Sequence, residues 1–242
     1  MSVESVLMPR LAGTLVHGAG SVRERLARWR DLPEADLQVA PETARFIVVD
    51  VEPTGLDPRV DRVGAIGAVT VENRRIVLGR SFYRSLDEPP SAASENGLAP
   101  VEAHVGPGEG GDPAQALLAF LEFVGKTPLV AYHAAFVEAM IRKATRSLLG
   151  ERFRRVWLDL AELAPDLLGN AGRRCNDLDG WLERFGIEVH RRHDAACDAL
   201  ASAQLLLVVL AQAKAAQWRV GQMVRSPDAS RWLRRVGGLG CG

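Results

Sequence analysis

From Phe46 to Gly55 the chain reads Phe-Ile-Val-Val-Asp-Val-Glu-Pro-Thr-Gly, a short β-rich apolar run that ends on two carboxylates. Successive side chains of a strand point to opposite faces, so Asp50 and Glu52, two residues apart, lie on the same one. Any fold that uses this run as a strand has to accommodate two like charges on one side of a sheet. They repel each other unless a proton or a cation intervenes, and hard divalent cations such as Mg²⁺ prefer oxygen clusters of this kind. A second acidic cluster, His193-Asp-Ala-Ala-Cys-Asp198, opens a helix near the other end of the chain. Together the two point to a metal-dependent site that cleaves phosphodiesters.

The elements around them read in an α/β order. Ser21, with Glu24 three residues on, forms a capping box for a helix through Arg30, and Asp31-Leu-Pro-Glu-Ala-Asp36 breaks it. Strands are predicted at 46–51, 62–71 and 75–83, the last two joined by a polar hairpin turn at Glu72-Asn-Arg-Arg75. The second strand carries Gly64 and Gly67, as a central strand closely approached by another element does. Residues 86–111, rich in Pro, Gly, Ser and acids, read as a long surface loop. Within it, Gly106-Pro-Gly-Glu-Gly-Gly111 matches a dinucleotide-binding pattern in form only, because no strand precedes it and Glu109 would repel a pyrophosphate. Asp112 and Pro113 then start a helix to Val124.

A short strand at 128–132, a helix at 134–149 and a strand at 156–160 leading into a helix come next. A further helix is capped by Asn176 and closed by Gly186. The last long helix spans 194–216, and one more short helix is expected at 230–236. This order predicts a mixed β-sheet flanked by helices. It divides the chain into an N-terminal helical extension (1–43), a central α/β domain (44–212) and a basic C-terminal tail (213–242).

A chain of 242 residues suffices for one well-buried domain with such extensions. Formal net charge is zero, so the chain as a whole makes no case for nucleic acid; the distribution says more. Residues 86–122 carry seven acidic side chains and no Lys or Arg. Residues 139–155 carry six basic side chains against Glu151, and residues 213–242 carry six against Asp228. Such asymmetry lays a basic path for phosphates beside an acidic metal site, although a solvated helix face accounts for either basic stretch taken alone. Cys175, Cys197 and Cys241 are odd in number and form no CxxC pair, which argues against a disulfide framework or structural zinc and fits a reducing cytoplasm. Arg10 interrupts the weak apolar stretch at the N-terminus, so no signal-peptide core is expected. The most apolar run, 205–211, is too short to span a bilayer. A soluble cytoplasmic protein is expected.

Val48-Val-Asp-Val-Glu-Pro-Thr-Gly-Leu-Asp57, followed by Asp61-Arg-Val-Gly-Ala-Ile-Gly-Ala-Val69, resembles the first motif of the DnaQ-like (DEDDh) 3′–5′ exonucleases of the RNase H-like superfamily. His193-x-Ala195-x-x-Asp198-Ala199 matches that family's third motif, with the spacing from histidine to aspartate preserved. The resemblance covers residues 44–212 in the expected order and implies an RNase H-like fold there. It implies that Asp50, Glu52 and Asp198 bind catalytic Mg²⁺ or Mn²⁺ ions in a two-metal site. His193 would be the general base for the attacking water, a task that suits a side chain titrating near neutrality. Thr54, Gly55, His133 and Phe136 would lie against the substrate. The implied substrate is a 3′ end of single-stranded DNA or RNA, released as nucleoside monophosphates. A polymerase or another protein partner is compatible with it but not identifiable, and oligomeric state is open.

Three departures from the family pattern stand out. The middle motif usually reads His-Asn-x-x-Phe-Asp, whereas the matching stretch is Tyr132-His-Ala-Ala-Phe-Val137, so Val137 stands where the fourth metal-site aspartate belongs. Tyr132-His133 replaces His-Asn. Pro53 replaces a threonine and removes both a backbone N–H and a hydroxyl. Glu138, one residue past Val137, points about 100° away on a helix and is not expected to substitute. Asp194, at a variable motif position, is expected to cap its helix. The lost carboxylate predicts a first ion held by Asp50, Glu52 and Asp198, a weaker second ion and reduced turnover. Two functions follow: an exonuclease, favoured by the retained Asp50, Glu52, His193 and Asp198, or a catalytically degenerate relative that binds nucleic acid or protein through the same groove, favoured by Val137 and Pro53.

Overall fold

The structure, a computed structural model, describes residues 20–86, 112–169 and 177–224. Helix α1 (Val22–Arg30) begins behind the expected capping box: Glu24 N donates to the Ser21 hydroxyl at 3.3 Å, and Ser21 N donates to the Glu24 carboxylate at 2.8 Å. Three strands follow as an antiparallel meander, β1 (Arg45–Pro53), β2 (Val63–Glu72) and β3 (Arg75–Ser85). Asn73 and Arg74 both adopt left-handed backbone, φ 51° and 56°, in the two-residue turn whose twist matches that of paired strands. The remaining elements are α2 (Pro113–Val124), β4 (Leu129–Ala131), α3 (Ala134–Leu149), β5 (Trp157–Asp159), α4 (Leu160–Leu168), α5 (Leu178–Phe185), α6 (Ala195–Ala215) and α7 (Val220–Met223). The strands form one mixed sheet in the order β3-β2-β1-β4-β5, with β4 parallel to β1 and β5 parallel to β4. Helical crossovers α2 and α3 supply the length that parallel pairing needs.

The observed elements follow the predicted order, with ends displaced by a few residues. Helix α5 is capped by Asp177, whose carboxylate accepts from Gly180 N at 2.8 Å; Asn176, the expected cap, lies outside the described residues. Helix α7 is a single turn, too short to leave a periodic signal. The acidic segment with its Gly-rich pattern, 87–111, and the expected helix at 230–236 also lie outside the described residues.

The alternation along β1 sorts the core into two layers. Ile47, Val49 and Val51 pack with Leu117, Phe120, Leu121, Met140 and Trp157 on the side of α2 and α3. Phe46 and Val48 face the other way, into Leu163, Trp181, Leu205 and Val209 from α4, α5 and α6. Asp50 and Glu52 continue the second parity and so leave the sheet on the α6 side. Helix α6 is long and apolar enough to cross a membrane by length and composition, but its Ala199, Leu205, Leu206 and Val209 are fully buried against the sheet and α4. Its apolar character is that of a core helix.

The flanking segments dock onto these layers. Leu26 and Trp29 of α1 are buried, the Trp29 indole donates to Gly125 O at 3.2 Å, and Arg25 pairs with Glu122 at 2.5 Å. Past α6, the amides of Val220 and Gly221 donate to the carbonyls of Val39 and Leu37.

Candidate active site

At the C-terminal end of β1 the side chains of Asp50 and Glu52 meet Asp198 of α6, and one carboxylate oxygen from each lies within 4.8 Å of the others. Oxygens around one ion with bonds of ~2.1 Å are at most about 4.2 Å apart, so a small side-chain adjustment closes this set on an ion of Mg²⁺ or Mn²⁺ size. The donors are all hard oxygens, as those ions require. Like charges at this spacing resist ionisation. Burial, then the neighbouring Asp198 and Glu52 carboxylates, push Asp50 up to about 8, and Arg192 offsets only part of this. Burial first and Asp198 second also raise Glu52. The cluster therefore retains a proton at neutral pH in the place that a cation suits.

Helix α6 reaches this position because β2 has no side chain at Gly67. A Cβ there would lie 2.2 Å from the Ala195 carbonyl, so only glycine allows the approach. That is the role expected of a glycine in this strand. The first turn of α6 is capped by Asp194, which accepts from Ala196 N at 3.1 Å and Cys197 N at 3.0 Å. Asp198, one turn further along, is left to face β1. His193 adopts left-handed backbone, φ 60°, which turns its N–H onto the Asp198 carboxylate at 3.0 Å. Its exposed side chain stands at the rim, close enough to Glu52 to favour the glutamate's charged form.

Sequence reasoning did not single out Arg192. Its guanidinium donates to the Asp198 carboxylate through Nη1 and to Asp179 of α5 through Nε at 2.9 Å. Arg192 thus partly neutralises the cluster. The only signal in the sequence was a cation next to the motif histidine.

Thr54 and Gly55 lie in the loop that leaves β1. The Thr54 hydroxyl accepts from Arg62 N at 3.0 Å and donates to Asp61 at 3.3 Å, and Asp61 also accepts from Asp57 N at 2.8 Å. A Cβ on Gly55 would sit 2.5 Å from the Asp61 carboxylate. These residues shape the loop, with Asp61 as its staple. The β1–β2 register shifts between Glu52 and Pro53, where the proline has no N–H to give.

The middle motif is held by a residue the sequence did not mark. His133 precedes α3 in left-handed backbone, φ 61°, with no side-chain cap of its own. Instead the Asp159 carboxylate, at the end of β5, accepts from His133 N and Ala134 N, each at 3.0 Å, and from Ala161 N of α4 at 2.9 Å. Burial pushes Asp159 up to about 6 despite these three N–H groups. Phe136 packs against the α2–α3 core layer, and Val137 is buried within it and contributes no oxygen to the carboxylate cluster. Glu138 does not join the cluster either. It lies on the opposite flank of the motif, near Arg142 and Arg154, and burial raises its carboxyl above the usual range. Cys197 is a free thiol; Cys175 and Cys241 lie outside the described residues.

A sequence model described as Exonuclease matches residues 47–206. Among known relatives, the PolC-type DNA polymerase III of Thermotoga petrophila is 32% identical over 167 residues, 69% of this chain and 12% of that protein. The DNA polymerase III subunit epsilon-like protein of Rhodobacter capsulatus is 29% identical over 177 residues, 70% of this chain and 24% of its own length. The chain thus spans a minor part of these relatives. In three dimensions the zinc-bound E. coli ExoI–ssDNA complex superposes with a TM-score of 0.52 at 20% identity, covering 72% of this chain and 42% of that one. Cell-death related nuclease 4 (CRN-4) superposes with a TM-score of 0.53 at 14% identity, covering 70% and 64%. The shared feature is the fold, a five-stranded mixed sheet with flanking helices.

Proposed function

The chain belongs to the exonuclease family, as a DnaQ-like domain of RNase H-like fold, and on that premise we propose that it is a metal-dependent 3′–5′ exonuclease whose catalytic domain is residues 44–212. The observation that carries this reading is the convergence of Asp50, Glu52 and Asp198 with His193 at their rim. Asp50, Glu52 and Asp198 would hold a divalent cation, which would supply Lewis acidity at the scissile phosphate. His193 takes a proton from water, the water oxygen bonds to phosphorus, and the P–O bond to the penultimate 3′-oxygen breaks. That oxygen leaves to be protonated, and a nucleoside monophosphate is released. The loop of Thr54 and Gly55 and the turn of His133 and Phe136 flank the terminal nucleotide. The polymerase III names of the relatives favour DNA as substrate and a polymerase as partner.

The test is end-labelled single-stranded DNA and RNA incubated with the protein, with and without Mg²⁺ or Mn²⁺. Stepwise shortening from the 3′ end is expected, with His193→Ala slower by about 10²–10⁴-fold at unchanged fold. No shortening with either ion, while binding persists, would sink the exonuclease reading. It would favour the second one, a catalytically degenerate fold that binds nucleic acid, for which buried Val137 is the supporting observation.

A further inference from the structure

Outside the carboxylate cluster, a cavity of roughly 1000 Å³ lies on the α3 side of the sheet. Its lining includes Phe136 in the first turn of α3 and Arg59 of the loop that leaves β1. Arg142 and Arg146 of α3 and Arg152 and Arg154 of the segment before β5 also line it. Because β1 and β4 run parallel as neighbours, the ends from which Asp50 and His133 emerge lie on the same edge of the sheet. Through Phe136 the cavity reaches the first helical turn of the middle motif, which starts at that edge.

Its cations divide into two groups. Some serve the fold: the Lys143 ammonium donates to the carbonyls of Arg59 and Asp61, each at 2.8 Å, and Arg155 holds Glu34 and the Lys126 carbonyl. The acid Glu151 is likewise engaged, by Arg30. In contrast, the guanidinium groups of Arg142, Arg146, Arg152 and Arg154 make no hydrogen bond or ion pair among the described residues. Arg142 and Arg146 stand one turn apart on α3, a like-charge pair that weakens a helix unless an anion lies between them. Guanidinium groups match phosphate oxygens in geometry and charge. Apart from Glu151, the acid among the lining residues is half-buried Glu138, near Arg142 and Arg154, too little to balance four cations.

We infer that this cavity is a phosphate-binding station for the same strand whose 3′ end enters the carboxylate cluster, and that it holds internucleotide phosphates upstream of the nucleotide being removed. The strand's direction rests on the exonuclease reading; the binding itself does not. Recognition through phosphates alone makes the station indifferent to base sequence.

The experiment measures fluorescence anisotropy of the full chain with 5′-labelled oligothymidylate in EDTA, across a salt series. Arg142→Gln/Arg154→Gln is compared with wild type and with a control pair, Arg23→Gln/Arg75→Gln, that removes the same charge elsewhere, after melting curves confirm that all three fold. Each phosphate contact to a single strand steepens the log–log salt dependence by about 0.7, so the cavity pair is expected to flatten it by about 1.4 while the control pair does not. Equal slopes for wild type and the cavity pair overturn the inference. So does an equal change in the control pair, or equally tight binding of polyglutamate, which would assign the cavity to acidic protein segments. Hydrolysis in Mn²⁺ is scored separately: loss of hydrolysis with the slope difference intact removes the exonuclease reading alone, and hydrolysis without the slope difference removes this one alone.

Discussion

Single residues set the charge balance of the candidate site, and two of them make predictions. Asp50 titrates at about 8 against an ordinary 3.8, so between those values the folded state holds a proton that the unfolded chain has released. Its contribution to stability is complete below about pH 4 and is lost as pH rises towards 8. Asp159, raised to about 6, acts with the same sign over a narrower window. Asp50→Asn should therefore stabilise the metal-free protein at pH 8 by about 1–3 kcal/mol while having little effect at pH 4. Urea unfolding in EDTA at both pH values checks this, and an equal change at both would show that Asp50 is not the titrating group. Arg192 is the internal counter-ion of Asp198. Replacing it with glutamine should lower the melting temperature in EDTA and tighten Mn²⁺ binding by titration calorimetry, because the ion no longer competes with a guanidinium. Weaker Mn²⁺ binding would mean that Arg192 helps to assemble the site instead. The parity of Asp50 and Glu52 and the spacing of His193 to Asp198 were legible in the sequence, since both follow from local geometry. Arg192 and Asp159 were not, because their contacts depend on side-chain reach and on β4 and β5 lying side by side.

Elements are placed by packing that the sequence showed unevenly. The two glycines of β2 hinted at a close neighbour, and α6 proved to be that neighbour at Gly67. Gly67→Ala has to push the start of α6 off the sheet, and Asp198 with it. Hydrolysis and Mn²⁺ binding should both fall by more than tenfold, while far-UV circular dichroism stays close to wild type. Wild-type Mn²⁺ affinity in this variant would show that α6 can tilt without moving Asp198. Helix α1 is the opposite case: its capping box was visible, but its docking was not. The periodicity of a nine-residue helix does not say what its apolar side will meet. Trp29 is buried, donates to Gly125 O, and carries the Lys126 ammonium 3.9 Å from its ring centre. Trp29→Ala should cost about 3–5 kcal/mol, read from the urea midpoint, because it leaves a cavity between α1 and α2. A change below ~1 kcal/mol would make α1 a loosely held appendage.

At the scale of the whole molecule, the sheet separates two chemistries. Carboxylates leave β1 on the α6 side, and the guanidiniums of Arg142, Arg146, Arg152 and Arg154 collect on the α3 side. The zero net charge conceals this division; only the run of six basic residues at 139–155 hinted at it. In the family pattern the middle motif would join the sides, by sending a carboxylate from α3 into the metal site. Here Val137 ends that link in an apolar layer, where it is 2% exposed. Val137→Asp tests whether the link can be remade. A new carboxylate in that layer, without an ion, should destabilise the protein by about 1–3 kcal/mol. An ion that binds only the folded state offsets the loss, so the melting temperature of the variant should rise with Mn²⁺ concentration more steeply than that of wild type. If the carboxylate reaches the cluster, hydrolysis of one labelled oligonucleotide should increase, more in Mg²⁺ than in Mn²⁺, since Mg²⁺ tolerates an incomplete octahedral set less well. Equal rates for both proteins in both ions, with the stability loss present, would show that position 137 is sealed inside the α3 layer and that the chain works, if it hydrolyses at all, from the three carboxylates of the α6 side.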